Sequence, residues 1–193
     1  MIVIGIDLAG VESRPTGFCV LQTDSMKVEH FLVYKDEDIV KFVKKFNPKV
    51  VAIDAPLSLP KGRKSLDEKS NIHLRSCDKE LLKMGIKFFP ITLGPMRKLT
   101  KRGIRLKRIL ESIGYEVIEV YPGGAQDLLD IPRKKDMKGL MRGLVKLGIR
   151  GIRKNATNDE LDAVTAAYVA KLYVEREFKA YGDKEEGLII MPK

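Results

Sequence analysis

Two short apolar runs, Met-Ile-Val-Ile-Gly-Ile over residues 1–6 and Val50-Val51-Ala52-Ile53, each stop at an aspartate, Asp7 and Asp54. Short runs with no polar alternation mark strands covered on both faces, as in the parallel part of an α/β sheet. A third run, Val117-Ile118-Glu119-Val120, is interrupted by Glu119, and an apolar helix pattern around Leu161 carries Asp159 and Asp162 at its head. A lone buried carboxylate is costly, so such groups are paired, protonated or bound to a cation. Several of them at the ends of buried elements point to one shared divalent-cation site.

The rest of the pattern supplies a frame for those ends. Residues 1–8, 17–23 and 27–34 are expected as strands, the last two joined at Asp24-Ser25, which gives an antiparallel meander. Residues 36–46 put Ile39, Val40, Phe42, Val43 and Phe46 on one helix face, and Asn47-Pro48 ends that helix. Strands follow at 49–54 and 115–121, with helices at about 75–84, 96–113, 124–130, 136–147 and 158–178. The tail 187–193 offers a further short strand. The order predicts an α/β protein with a five-stranded mixed sheet: three antiparallel strands plus two parallel crossover strands, flanked by helices. A helical insertion occupies about 55–113, after the fourth strand. Right-handed crossovers place strands 1, 4 and 5 side by side, their carboxyl ends at the edge where open α/β sheets bind ligands. A chain of 193 residues is most simply one domain, 1–193.

Charge narrows the partner. Lys and Arg total 36 against 26 Asp and Glu, a net charge of +10, and the excess is blocked. Residues 96–108 hold seven basic and no acidic residues; residues 131–154 hold nine basic residues and one acid, Asp136. Basic blocks on an otherwise acidic chain fit a polyanion, nucleic acid first. The competing reading is a thermophile-like surface, charge-rich and poor in Gln and Asn, whose cations bind nothing. Candidate phosphate contacts are Lys61, Arg63, Lys64 and Arg75 in and after the long loop, Arg97, Lys98, Lys101, Arg102 and Arg105 in the first block, and Lys138 and Arg142 in the second. Aromatic residues are poorly interleaved with them, which gives no basis for base stacking or sequence readout. No apolar run reaches the length of a membrane span, and the amino terminus reads as a strand and not as a secretory leader, so a cytoplasmic protein is expected. Cys19 and Cys77 form no disulfide or metal pattern.

Three stretches, Gly5-Ile6-Asp7-Leu8-Ala9-Gly10, Ala52-Ile53-Asp54-Ala55-Pro56 and Asn158-Asp159-Glu160-Leu161-Asp162-Ala163, resemble the DUF429 family of predicted nucleases, with Arg75-Ser76-Cys77-Asp78 and Glu119-Val120-Tyr121-Pro122 in keeping. The likeness covers nearly the whole chain and implies a ribonuclease H-like fold. The last helix is also similar to that of RuvC-type Holliday-junction resolvases, which carry two acids three residues apart at its start. That resemblance implies Asp7 as the central metal ligand, Asp54 in the place of an acid that is usually Glu, and Asp159 and Asp162 in the last two positions. Asp54 is a shorter arm than Glu, and Glu119 is an acid beyond the resolvase pattern.

The chemistry expected of such a set is hydrolysis of phosphodiester bonds in DNA or RNA, structured or branched substrates included. Mg²⁺ or Mn²⁺ takes hard oxygen ligands, and a pair of such ions activates water and stabilises the leaving oxygen. Each acid also has a plainer reading. Asp7 and Asp54 could form turns, Asp159 sits in the first turn of a helix capped by Thr157 and Glu160, and Glu119 could pair with Arg75. His30 and His73 are ordinary core or surface residues unless His73 acts as a base. The alternatives are a non-catalytic nucleic-acid-binding protein and a nucleotide phosphohydrolase using the same site. An actin-like ATPase would need a second lobe that 193 residues do not supply. A homodimer would suit a two-stranded substrate.

Overall fold

The computed structural model describes residues 1–193. The meander is β1 (Ile2–Asp7), β2 (Thr16–Gln22) and β3 (Lys27–Val33), followed by helix α1 (Asp36–Phe46) and strand β4 (Val51–Asp54). Helices α2 (Ser76–Lys83) and α3 (Gly94–Ser112) fill the span between β4 and β5 (Val117–Val120). Then come α4 (Pro122–Leu128), α5 (Met137–Lys146), α6 (Asn158–Val174), β6 (Phe178–Asp183) and β7 (Gly187–Pro192). No helix is long and apolar enough to cross a membrane.

The sheet runs β3-β2-β1-β4-β5-β7-β6. β1, β4 and β5 are adjacent and parallel, as expected, and the meander is antiparallel. The sheet has seven strands, not five. β7 lies parallel to β5, and β6 closes the edge as an antiparallel hairpin with β7. The last helix ends at Val174 and not near residue 178, because Arg176 turns the chain through a left-handed φ of 63°. β6 was hidden by its edge position: exposed Lys179 and Ala180 interrupt the period-two signal that burial would impose.

Two apolar layers sandwich the sheet. Val3, Ala52 and Ile118 face α6; Ile4, Ile6 and Ile53 face α1 and α3 through Ile39, Val43, Leu106 and Leu110. The α6 layer is unusually close. A Cβ on Gly5 would fall 2.2 Å from the Ala163 carbonyl oxygen, and one on Gly17 would fall 1.9 Å from that of Asp159. Glycine on the strands and alanine on the helix thus bring the head of α6, with its two aspartates, down onto the end of β1.

Candidate metal centre

Strand parity decides which acids meet. Asp7 and Asp54 are register partners at the carboxyl ends of adjacent parallel strands. Alternation along β1 and β4 puts both on the α6 side, two residues beyond Gly5 and Ala52. Asp162, 3% exposed, comes from the second turn of α6, and Asp159 lies half-buried in its first turn. The capping box from Thr157 and Glu160 is present. It fixes where α6 starts and so aims Asp159 and Asp162, three residues apart, at the sheet edge.

Burial and crowding act on these carboxyls together. Burial, followed by the Asp162 charge, raises the Asp7 pKa from 3.8 to about 7, with Lys134 pulling the other way. Burial and then the Asp7 and Asp162 charges hold Asp54 well above the usual carboxylate range. Asp159 is also raised, first by burial, with Asp162 adding to it and Lys134 opposing. A cation would relieve all three. Part of that role falls to Lys134, whose Nζ lies 2.9 Å from Asp162 Oδ2. Burial works against the Lys134 charge, but the carboxylates of Asp162, Asp7 and Asp54 together outweigh it, and the lysine pKa is raised.

Gln126 of α4 completes the floor. Its Nε2 donates to Asp162 Oδ1 at 2.8 Å and to Thr165 Oγ1 at 3.1 Å, while its buried Oε1 has no partner. No three His, Cys, Asp or Glu side chains are disposed as a finished cation cage. The donor chemistry fits a hard divalent ion nonetheless: mutually repelling carboxylates, a free amide oxygen beside Asp162, and a lysine ammonium already drawn in.

Glu119 is placed differently. Its register partner is Ile53, not Asp54, so it lies on the opposite parity of the sheet from Asp54. Arg75 donates to both of its carboxylate oxygens, each at 2.7 Å, and the Leu57 N–H donates to Oε2 at 2.7 Å. Arg75, 2% exposed, also donates to both oxygens of Asp78, which in turn accepts the Arg75 backbone N–H. This buried Glu119–Arg75–Asp78 unit staples the start of α2 and the loop after β4 to strand β5.

The basic residues divide in the same way. The Arg63 guanidinium is spent on the carbonyls of Ser65, Leu66, Glu68 and Ile72, which it gathers into a compact loop. Arg97 donates to the Leu66 carbonyl, and Lys101 pairs with Asp67 at 2.6 Å. Arg102 is buried on Asp36 and the carbonyls of Ala9 and Tyr34, and Arg105 meets the other Asp36 oxygen. Lys61 faces Glu185 at 3.6 Å. Lys64, Lys98, Lys138 and Arg142 are exposed with no ion-pair partner in the structure, since every bridge involves other residues.

A cavity of about 800 Å³ opens over the centre, and Asp7, Asp54, Asp162, Gln126 and Lys134 line it. Lys134 was masked in the sequence by the basic block around it. Gln126 had one weak signal, as one of only two glutamines in the chain. The cavity is also lined by Phe88, Phe89 and Tyr121, so aromatic rings do stand beside the acids although none neighbours the basic blocks' stripes in sequence.

The family described as "Protein of unknown function (DUF429)" matches residues 5–186. No curated protein matches the chain. Among solved structures, Thermus thermophilus RuvC in complex with a Holliday junction substrate is similar at a TM-score of 0.52 and 13% identity, over 91% of this chain and 96% of that one. A second Thermus thermophilus RuvC structure gives 0.51 and 14%, over 91% and 97%. At such identities the likeness establishes a shared mixed-sheet α/β fold of the ribonuclease H type.

Proposed function

The chain belongs to the DUF429 family, and from that premise we propose that it is a divalent-metal-dependent nuclease that hydrolyses phosphodiester bonds of DNA or RNA. The observation that carries this reading is the meeting of Asp7 and Asp54, in register on parallel strands, with Asp162 from α6 at the rim of an open cavity. Nothing in packing requires three carboxylates there, and burial makes Asp7 and Asp54 costly to ionise. The RuvC fold and the junction DNA held by one of those structures agree with the reading.

Mg²⁺ or Mn²⁺ held by Asp7, Asp54, Asp159 and Asp162 would supply water activation and charge neutralisation at the scissile phosphate. The protein's own residues do the rest. Gln126 fixes the Asp162 rotamer through its amide and presents Oε1 as one more oxygen. Lys134 lines the same cavity; a divalent cation at the acids would compete for Asp162 and so leave the lysine ammonium to pair with a substrate phosphate oxygen. Glu119 acts as a positioning residue through Arg75 and Asp78. Lys64, Lys98, Lys138 and Arg142 are the cations left to hold the flanking backbone; Lys61 can join them by leaving Glu185.

The test is cleavage of labelled single-stranded, duplex and four-way-junction DNA, and of RNA, in Mg²⁺ or Mn²⁺, with Asp7→Asn and Asp162→Asn alongside. Cutting that needs metal and is lost in both variants supports the reading. Salt-sensitive binding with no cutting in either metal supports the second reading, a non-catalytic nucleic-acid-binding protein in which Lys134 permanently neutralises the acids, as its contact with Asp162 would allow.

A further inference from the structure

The cavity over the acids has a second half with a different chemistry. The segment between β4 and β5 lends it Leu81, Phe88, Phe89, Ile91, Met96 and Leu99. Phe88 is half-buried and Phe89 is 69% exposed, a costly position for a ring in a protein this charged unless something covers it. Besides Lys87, the charged side chains that segment brings to the cavity are Arg75 and Asp78, and these are bonded to each other and to Glu119, so little is left with which to read the hydrogen-bonding edge of a ligand. The volume, about 800 Å³, is within the range of sites that take a small organic group.

We infer that this apolar half is a base-binding subsite that receives one unpaired nucleotide of a nucleic-acid strand while its phosphate lies at the acid centre. The inference rests on the nuclease reading and names the substrate class, a locally single-stranded nucleic acid cut without base preference. The occupant follows from the two halves of one cavity. Carboxylates that need a cation, together with Lys134 and Lys135, suit a phosphate; rings and aliphatic side chains suit the face of a heterocycle. In a duplex, neighbouring base pairs cover those faces, and the base would have to leave the stack to reach Phe88 and Phe89. A peptide or lipid would engage the apolar half but leave the acids unserved.

Binding separates the base from the backbone. The full-length protein is titrated, in chelator and in Ca²⁺, with a labelled oligothymidylate, its ribonucleotide counterpart, an abasic strand of equal length and charge, and a duplex. The subsite predicts that at least one base-bearing single strand binds on the order of tenfold tighter than the abasic strand and the duplex, as one base–aromatic stack allows. Phe89→Ala and Phe88→Leu should erase that margin, and Phe89→Trp, which keeps a ring, should retain it. Phe89 is exposed, so its variants fold irrespective of the outcome. Equal binding of abasic and base-bearing strands overturns the inference, as does tighter binding of duplex. Metal-dependent cutting of duplex or junction DNA undiminished by Phe89→Ala would sink the subsite and leave the nuclease reading intact. Base-dependent binding with no cutting in any metal would do the reverse.

Discussion

Asp7→Asn should make the metal-free protein more stable, and the gain should depend on pH. The native state raises the Asp7 pKa from 3.8 to about 7, chiefly by burial and then by the charge of Asp162. A native value above the unfolded one means that the folded protein holds this proton more tightly. Stability from Asp7 is therefore greatest below pH 4 and is lost as pH rises through the interval from 3.8 to about 7. Each tenfold change in acidity is about 1.4 kcal/mol, so the full loss above pH 7 is about 4 kcal/mol as an upper bound. Asparagine keeps the shape and drops the charge, but it forfeits some hydrogen bonding. A net gain of about 2 kcal/mol at pH 8 is expected, which for a domain of this size is a Tm rise of roughly 4–8 °C. At pH 4 the gain should vanish. Thermal melts of both proteins in chelator at pH 4, 6 and 8 read the difference directly; taking the difference cancels the titrating groups remote from Asp7, while Asp54, relieved of the Asp7 charge, shifts the variant in the same stabilising direction. A variant destabilised equally at every pH would refute the claim that Asp7 is a buried carboxylate held for a cation.

Other consequences follow from the same geometry. Excess Mg²⁺ should raise the wild-type Tm at pH 8 far more than at pH 5, because protons on Asp7 and Asp54 compete with it; equal shifts would mean the ion binds elsewhere. Lys134→Met should bind Mg²⁺ several-fold tighter by calorimetry, since it removes a competing cation from Asp162; weaker binding would contradict that. Arg75→Met should cost about 3–5 kcal/mol in chemical denaturation, leaving Glu119 and Asp78 buried and unpaired; a neutral effect would show the staple to be dispensable. Gly5→Ala should cost several kcal/mol, because its Cβ would meet α6 backbone at 2.2 Å and the helix must lift from β1.

Much of the frame was legible from periodicity. The apolar run before Asp54 and the amphipathic stripe of residues 36–46 are local signals, and the structure keeps them. The tail strand β7 was legible too, at 187–193, but its hairpin partner β6 was not, since an edge strand with one face in water carries half the hydrophobic signal of a central one. At the candidate site, Asp7, Asp54 and Asp162 converge because strand parity and a helix start are encoded in nearby residues. Glu119 shows the limit of that logic. It has the same one-dimensional setting as Asp54, yet a single step of register turns it to Arg75. Arg63 and Arg102 show a second limit, because a basic block does not reveal which guanidiniums spend their donors on the chain itself. Lys134 and the two phenylalanines enter the cavity from distant segments, and only the tertiary fold relates them to the acids.

The central claim is that Asp7, Asp54 and Asp162 exist to hold a divalent cation. Crystals grown at pH 8 and soaked in Mn²⁺ test it most directly, through the anomalous signal of the ion. A peak among Asp7, Asp54 and Asp162 is expected, with the Lys134 ammonium moved off Asp162. An empty centre with Lys134 still on Asp162, at a Mn²⁺ concentration that saturates exposed carboxylates elsewhere on the molecule, would contradict it.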